Sequence, residues 1–188
     1  MDGLRERKRA ASRAQTVDVA LRLFAERGFD GVTVADICAA ADIAPRTFFR
    51  YFPTKDDVLV EPSREMADRL AEYVAEAAEG LDDAAVLRSA LRKLGEFVVS
   101  DRERLGRFFR VMGTVARDRP TPILHLSDAE RQLGERLAAR RPGPPAEDWR
   151  TRLLVARTVA AFRVWLEDFR TDPGDDPLAH LDEILAAA

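Results

Sequence analysis

Residues 33–59 read TVADICAAADIAPRTFFRYFPTKDDVL, and the fold turns on this stretch. Thr33, followed three residues later by Asp36, is a capping pair, so a helix is expected to start at Val34 and to turn Ile37, Cys38 and Ala41 inward. Pro45 suits the first position of a second helix, because its ring fixes φ at a helical value and its missing N–H would be unpaired there anyway. That helix is expected to run to about Phe52, where Pro53 interrupts it; Thr54 with Asp57 repeats the capping pattern and opens a further helix through Val58 and Leu59. Two short helices joined by a tight turn form a helix-turn-helix, whose second helix enters the DNA major groove, where base edges distinguish all four pairs. In that second helix Phe48 and Phe52 are four apart and should face the core. Arg46, Thr47, Phe49, Arg50 and Tyr51 are left around the remaining surface.

Upstream the pattern is helical from about Arg5. Val17, Ala20, Leu21, Phe24 and Ala25 mark one apolar stripe, and Gly28 ends it. The start of this helix is basic, with Arg5, Arg7, Lys8, Arg9 and Arg13 against Asp2 and Glu6, which fits either a solvated helix end or an arm on phosphates or the minor groove. Downstream, Pro62 sits inside a helical pattern that continues to Ala78, so a kink or break is expected near Glu61. Later interruptions fall at Gly80 to Asp82, Arg119 to Pro122, Pro142 to Pro145 and Asp172 to Pro177. The expected fold is all-α, with about nine helices: a three-helix helix-turn-helix head over residues 1–59 and a C-terminal helical bundle over residues 60–188.

Bulk composition narrows the function classes. A chain of 188 residues holds a reader head and a helical body but is short for most two-domain enzymes. Its 46% hydrophobic, 34% charged and 7% aromatic make-up is that of a soluble helical protein. No apolar run approaches a membrane span and the charged N-terminus lacks a signal-peptide stretch, so a cytoplasmic protein with no membrane partner is expected. A net charge of -3 argues against indiscriminate coating of nucleic acid, which leaves local charge to decide binding. Cys38 is the single cysteine and reads as a small buried residue. The chain offers no phosphate-binding glycine loop and no nucleophile elbow, and His125 and His180 lack neighbours at metal-ligand or triad spacing. A non-enzyme without cofactor or metal is expected.

With Thr33, Ile37, Thr47, Tyr51, Phe52 and Lys55 in register behind an amphipathic helix of suitable length, residues from about Arg9 to Leu59 resemble the head of the tetracycline-repressor (TetR) family. The resemblance implies that Thr33, Thr47, Tyr51 and Lys55 touch phosphates or sugars, while Pro45, Arg46 and Phe49 lie nearest to bases. Arg50 joins them as a DNA-contact residue type. Chemistry agrees: Arg46 can bond guanine O6 and N7 bidentately, Phe49 can meet a thymine methyl, and Lys55 beside the free amides of the next helix makes an anion site. Three positions depart from the family pattern. Asp42 replaces the turn glycine, Ala44 replaces a capping serine at a cost of about 1 kcal/mol, and Phe49 replaces a tyrosine.

Beyond Leu59 the resemblance is architectural, and implies a variable body whose last two long helices form a dimeric four-helix bundle. Helices around Asp148 to Phe169 and Pro177 to Ala187 are therefore expected to build a homodimer, with Ala156, Val159, Ala160 and Arg163 along the contact. Such a dimer would set two heads about 34 Å apart on an inverted-repeat operator in double-stranded DNA. Large apolar residues on the middle helices suggest a pocket for a small, mainly apolar effector. Phe97, Leu105, Phe108, Phe109 and Met112 are candidate walls, joined by Leu124, Phe162 and Trp165, with Arg110 or His125 as polar anchors. The expected function is a repressor released from DNA by that effector; the alternative is a helical adaptor, or a regulator with no small-molecule effector.

Overall fold

The first helix, α1, spans Asp2–Arg27, three residues more than the sequence pattern marks. Val17, Ala20, Leu21 and Phe24 are buried as their spacing predicts, but Val19 and Leu23 are buried too, and Ala25, expected inward, is exposed. A single stripe assumes a single partner. Here α1 is packed by both α2, Val34–Ala41, and α6, Arg102–Asp118, so its apolar face is wider than one seam. Gly28 closes α1 in the left-handed region, at φ 75°, where a side chain would be strained.

The structure, a computed structural model, describes residues 2–118, 124–140 and 148–188, without the side chains of 2, 4, 116–118 and 124–129. Within those residues the chain forms nine α-helices and no strand. The remaining helices are α3, Pro45–Tyr51; α4, Lys55–Ala75; α5, Asp83–Ser100; α7, Leu124–Ala139; α8, Trp149–Thr171; and α9, Pro177–Ala187. The interruptions expected at Arg119 to Pro122 and Pro142 to Pro145 lie outside the described residues.

Of the kink or break expected near Glu61, a break does not occur: α4 runs through Pro62 and stops at Ala75 rather than Ala78. Proline deprives that turn of one N–H donor, but the Arg64 guanidinium bonds Asp57 seven residues back, at 3.1 Å, and spans the weakened turn with a charge-assisted hydrogen bond. A break occurs instead at Asp101, between α5 and α6, where neither proline nor glycine marks the sequence. There the Asp101 N–H still reaches the Phe97 carbonyl, at 3.0 Å, while its ψ of 32° leaves the helical range.

Two compact units result. The first joins the segment up to Arg64 with α6; the second joins Glu65–Asp101 with α7, α8 and α9. In the second, Val74, Val86, Leu87, Ala90, Leu133, Leu137 and Val155 form a continuous core. Arg140, just past α7, gathers the loose carbonyls at the end of α4: its guanidinium donates to Val74 at 3.0 Å and to Ala77 and Ala78 at 2.9 Å each. At Gly95, α5 comes so close to α9 that an added Cβ would collide with the Leu181 side chain and touch Trp165. Trp165 is itself fully buried, stacks on Phe169, and donates its indole N–H to the Pro177 carbonyl at 2.7 Å.

Candidate nucleic-acid interface

The turn between α2 and α3 forms as the local chemistry dictates. At the start of α2 both halves of the capping box are made: Thr33 Oγ1 accepts from the Asp36 N–H at 3.2 Å, and Asp36 Oδ2 accepts from the Thr33 N–H at 2.8 Å. At its end Asp42 takes the left-handed conformation, φ 52°, in place of a glycine, and the Asp42 N–H returns to the Cys38 carbonyl. Ala44 supplies no side-chain cap to α3, and Pro45 occupies its first turn.

This turn fixes which side of α3 is free. Phe48 and Phe52 are fully buried, with ring centroids 5.6 Å apart, in the head core with Leu21, Ile37 and Val58. Pro45, Arg46, Phe49 and Arg50 are exposed in consequence, and Thr47 and Tyr51 are half-buried at the edges. Phe49 keeps 55% of its surface in water, an apolar ring that is costly to leave wet on a free face. Arg46 has no ion-pair partner among the described residues.

Two expected phosphate contacts have partners inside the head. Thr33 has one hydroxyl proton and donates it to Asp36 Oδ2 at 2.5 Å, so the structure gives Thr33 its capping role. Hydrogen bonds from Thr33 hold the Asp36 carboxyl below the usual carboxylate range. Lys55 donates to the Phe29 and Val32 carbonyls, at 2.7 and 2.8 Å, with its ammonium 4.2 Å from the Phe29 ring centroid. An ammonium has three protons, so one remains for a ligand.

Around Tyr51 the sequence reading missed the neighbours. Interaction with the Ser12 side chain of α1, chiefly, and with Arg50, together with the Arg9 charge, pulls its phenol below its ordinary value. Arg9 and Arg50 lie over its ring, their guanidinium carbons 5.9 and 5.2 Å from the centroid. The basic arm was legible in sequence; its register against α3 was not.

The ten residues assigned to an effector pocket do not fall in one unit. Leu105, Phe108, Phe109, Arg110 and Met112 lie on α6, in the unit of the head; of these Leu105 and Phe108 are buried and Arg110 is exposed. Phe97, Phe162 and Trp165 belong to the second unit, where Phe97 is half-buried beneath the Arg69 guanidinium, 4.0 Å from its ring centroid. The side chains of Leu124 and His125 are outside the described residues.

On α8 the residues opposite the core form an exposed apolar stripe. Thr151, Val155, Thr158, Phe162, Trp165 and Phe169 face inward. Trp149, Leu153 and Val164, exposed to 56%, 57% and 52%, lie on the other side together with Ala156 and the half-buried Ala160. Val159, expected in this stripe, packs instead against the core of its own unit. Trp149, Leu153 and Val164 were missed, although helical spacing puts them on the face of Ala156 and Ala160.

The chain is similar to known regulators. The profile of bacterial regulatory proteins of the tetR family matches residues 17–61. MftR of Mycobacterium tuberculosis, described as a mycofactocin biosynthesis transcriptional regulator, is 30% identical over 172 residues, covering 86% of this chain and 83% of the relative. The HTH-type transcriptional regulator TcmR of Streptomyces glaucescens is 29% identical over 168 residues, covering 86% of this chain and 74% of the relative. Among solved structures, a transcriptional regulator from Rhodococcus sp. Rha1 superposes with a TM-score of 0.62 at 19% identity, over 93% of this chain and 92% of that one. The repressor FadR of Thermus thermophilus, solved in complex with lauroyl-CoA, superposes with a TM-score of 0.57 at 25% identity, over 93% and 91%. Among the described residues no cluster of metal-binding side chains occurs, and no helix is long and apolar enough to cross a membrane.

Proposed function

The chain belongs to the TetR family of bacterial transcriptional regulators, and from that premise we propose that it binds an inverted-repeat operator as a homodimer and leaves it when a small, mainly apolar effector binds. The observation that carries the reading is the two-sidedness of α3: Phe48 and Phe52 buried, Pro45, Arg46, Phe49 and Arg50 in water. A helix held by one aromatic face presents the other to the groove. Arg46 then reads a guanine edge, Phe49 packs on a thymine methyl, Pro45 sits against the bases, and Thr47, Tyr51, Arg50 and the remaining proton of Lys55 meet the backbone.

The homodimer reading is supported by the α8 stripe. Two copies related by a twofold axis can cover Trp149, Leu153, Ala156, Ala160 and Val164 against their own equivalents, the small alanines letting the helices approach. The effector reading is supported by the likeness to the FadR repressor solved with lauroyl-CoA. Residues 1–59 would carry the DNA contacts and residues 60–188 sensing and dimerisation. In this scheme α6 is the element of the latter range that packs on α1 and so reaches the head directly.

Selection of duplexes from random DNA, followed by gel-shift with Arg46→Ala, tests the head. The variant should relax preference at one base pair per half-site by about 1 to 3 kcal/mol, and an unchanged preferred operator overturns the base-reading role. A thermal-shift screen that includes acyl-coenzyme A thioesters, followed by gel-shift, tests the effector. A compound that stabilises the protein yet leaves DNA affinity unchanged contradicts the coupling.

A further inference from the structure

The first turns of α1 carry Arg5, Arg9 and Arg13 four residues apart, hence on one face of the helix. Where this face meets the end of α3, an open cleft is lined by Glu6, Arg9, Ala10, Arg13, Arg50 and Tyr51. Arg13 is already committed: it pairs with Glu61, the Nη2–Oε2 distance being 2.8 Å, and lies over the Phe52 ring. Arg9 and Arg50 have no ion-pair partner among the described residues, and Glu6 is the one acid on the cleft wall.

The two guanidiniums without an ion-pair partner both lie beside the Tyr51 ring. Each lies on Tyr51, which orients a planar fork and lowers the entropy lost when its N–H groups engage an anion. The Tyr51 phenol lines the same cleft and adds one O–H donor to it. Three sets of donors therefore converge on an open, positively charged cleft. Arg50, on the cleft wall, is four residues from Arg46 and so on the same exposed face of α3.

We infer that Arg9 and Arg50, steadied by the Tyr51 ring, grip a DNA backbone phosphate, so that the footprint of each head extends from α3 onto the first turns of α1. The inference rests on the reading of α3 as the DNA-binding helix and adds to it a contact from α1. A tetrahedral oxyanion suits paired guanidinium forks and a phenol O–H. The openness of the cleft suits a polymer passing across it rather than an enclosed small anion. A base edge is disfavoured because both guanidiniums are drawn to the Tyr51 ring at the end of the recognition helix, beside α1, where backbone rather than groove floor passes.

The test uses the full chain and a duplex operator recovered with the wild-type protein from random DNA, with anisotropy titrations between about 50 and 200 mM salt. Arg9→Ala should bind about 10-fold more weakly on the operator and on unrelated duplex alike, as expected for a lost hydrogen bond to a charged group. The slope of log K against log salt should become shallower by about 1. Arg9→Lys should recover the slope but only part of the affinity, because a point charge replaces the fork. A methylphosphonate scan should find one phosphate per half-site whose neutralisation weakens the wild type and leaves Arg9→Ala unaffected.

Wild-type affinity and slope in Arg9→Ala overturn the inference, and so does a changed sequence preference in that variant, which would mean a base contact. If Arg9→Ala lowers the melting temperature of the free protein, Arg9→Lys decides: wild-type affinity in a stable Arg9→Lys overturns the fork. A wild-type protein that recovers no duplex at all would refute DNA binding by α3 as well, and is thereby distinguishable from failure of the α1 contact alone.

Discussion

The ammonium of Lys55, the first residue of α4, donates to the carbonyl of Phe29 across 2.7 Å. With its second bond, to Val32 at 2.8 Å, it ties down the turn between α1 and α2 with charge-assisted hydrogen bonds.

This staple makes Lys55→Met a stability variant as well as a binding variant. Losing two charge-assisted hydrogen bonds and a cation–π contact on a half-buried site should cost about 1 to 3 kcal/mol in the free protein. DNA affinity should fall on all sequences equally. Urea melts without DNA check the first part, and a melt identical to wild type would leave Lys55 as a phosphate ligand only.

Leu153→Arg should convert the protein to a monomer at micromolar concentration. Leu153 lies within the exposed α8 stripe, where a charge in a desolvated helix contact has no partner, and its exposed side chain adds little to the core of its own unit. Sedimentation equilibrium with circular dichroism reads both outcomes; a variant that stays dimeric places the interface elsewhere.

Gly95→Ala should destabilise the second unit by about 1 to 3 kcal/mol, because its Cβ must displace the Leu181 side chain and crowd Trp165. In a sequence scan the same change looks favourable, since alanine is the better helix former. Chemical denaturation decides between the local and the tertiary effect.

Asp57→Asn should weaken the head at neutral pH and not in acid. Hydrogen bonds from the Thr54 side chain, chiefly, then Arg64 and the Thr54 backbone hold the Asp57 carboxyl below its ordinary value of 3.8, against the opposing effect of burial. A carboxyl lowered on folding contributes stability above its unfolded value and loses it as the pH falls through the folded one. The gap between wild type and Asp57→Asn should therefore close below pH 3.8, and a pH-independent gap would deny the ionised cap its role.

Trp165→Ala is a poor probe of effector binding. A fully buried indole that stacks on Phe169 and satisfies the Pro177 carbonyl is a core element, and its removal costs about 3 to 5 kcal/mol with or without a ligand. Phe97→Ala, at a half-buried position, separates binding from folding better.

Features that depend on a few adjacent residues were legible in the chain. The Thr33–Asp36 box, the left-handed Asp42, the uncapped Ala44, and the burial of Phe48 and Phe52 all follow from chain chemistry within one or two turns. The remainder depends on packing between elements distant in the chain. Lys55 finds carbonyls more than 20 residues away, Arg9 finds the Tyr51 ring, and α1, packed by both α2 and α6, buries Val19 and Leu23, which no single-stripe pattern anticipates. α4 continues through Pro62 with the Arg64–Asp57 bond spanning that turn, while Asp101 breaks a helix with no local signal. On α8, Val159 turned inward and Leu153 outward, because periodicity gives the angle between two residues but not which side of the helix meets its neighbours. A donor's partner and a helix's inward face are set by what the folded chain brings alongside, and that distance in sequence is what local pattern cannot span.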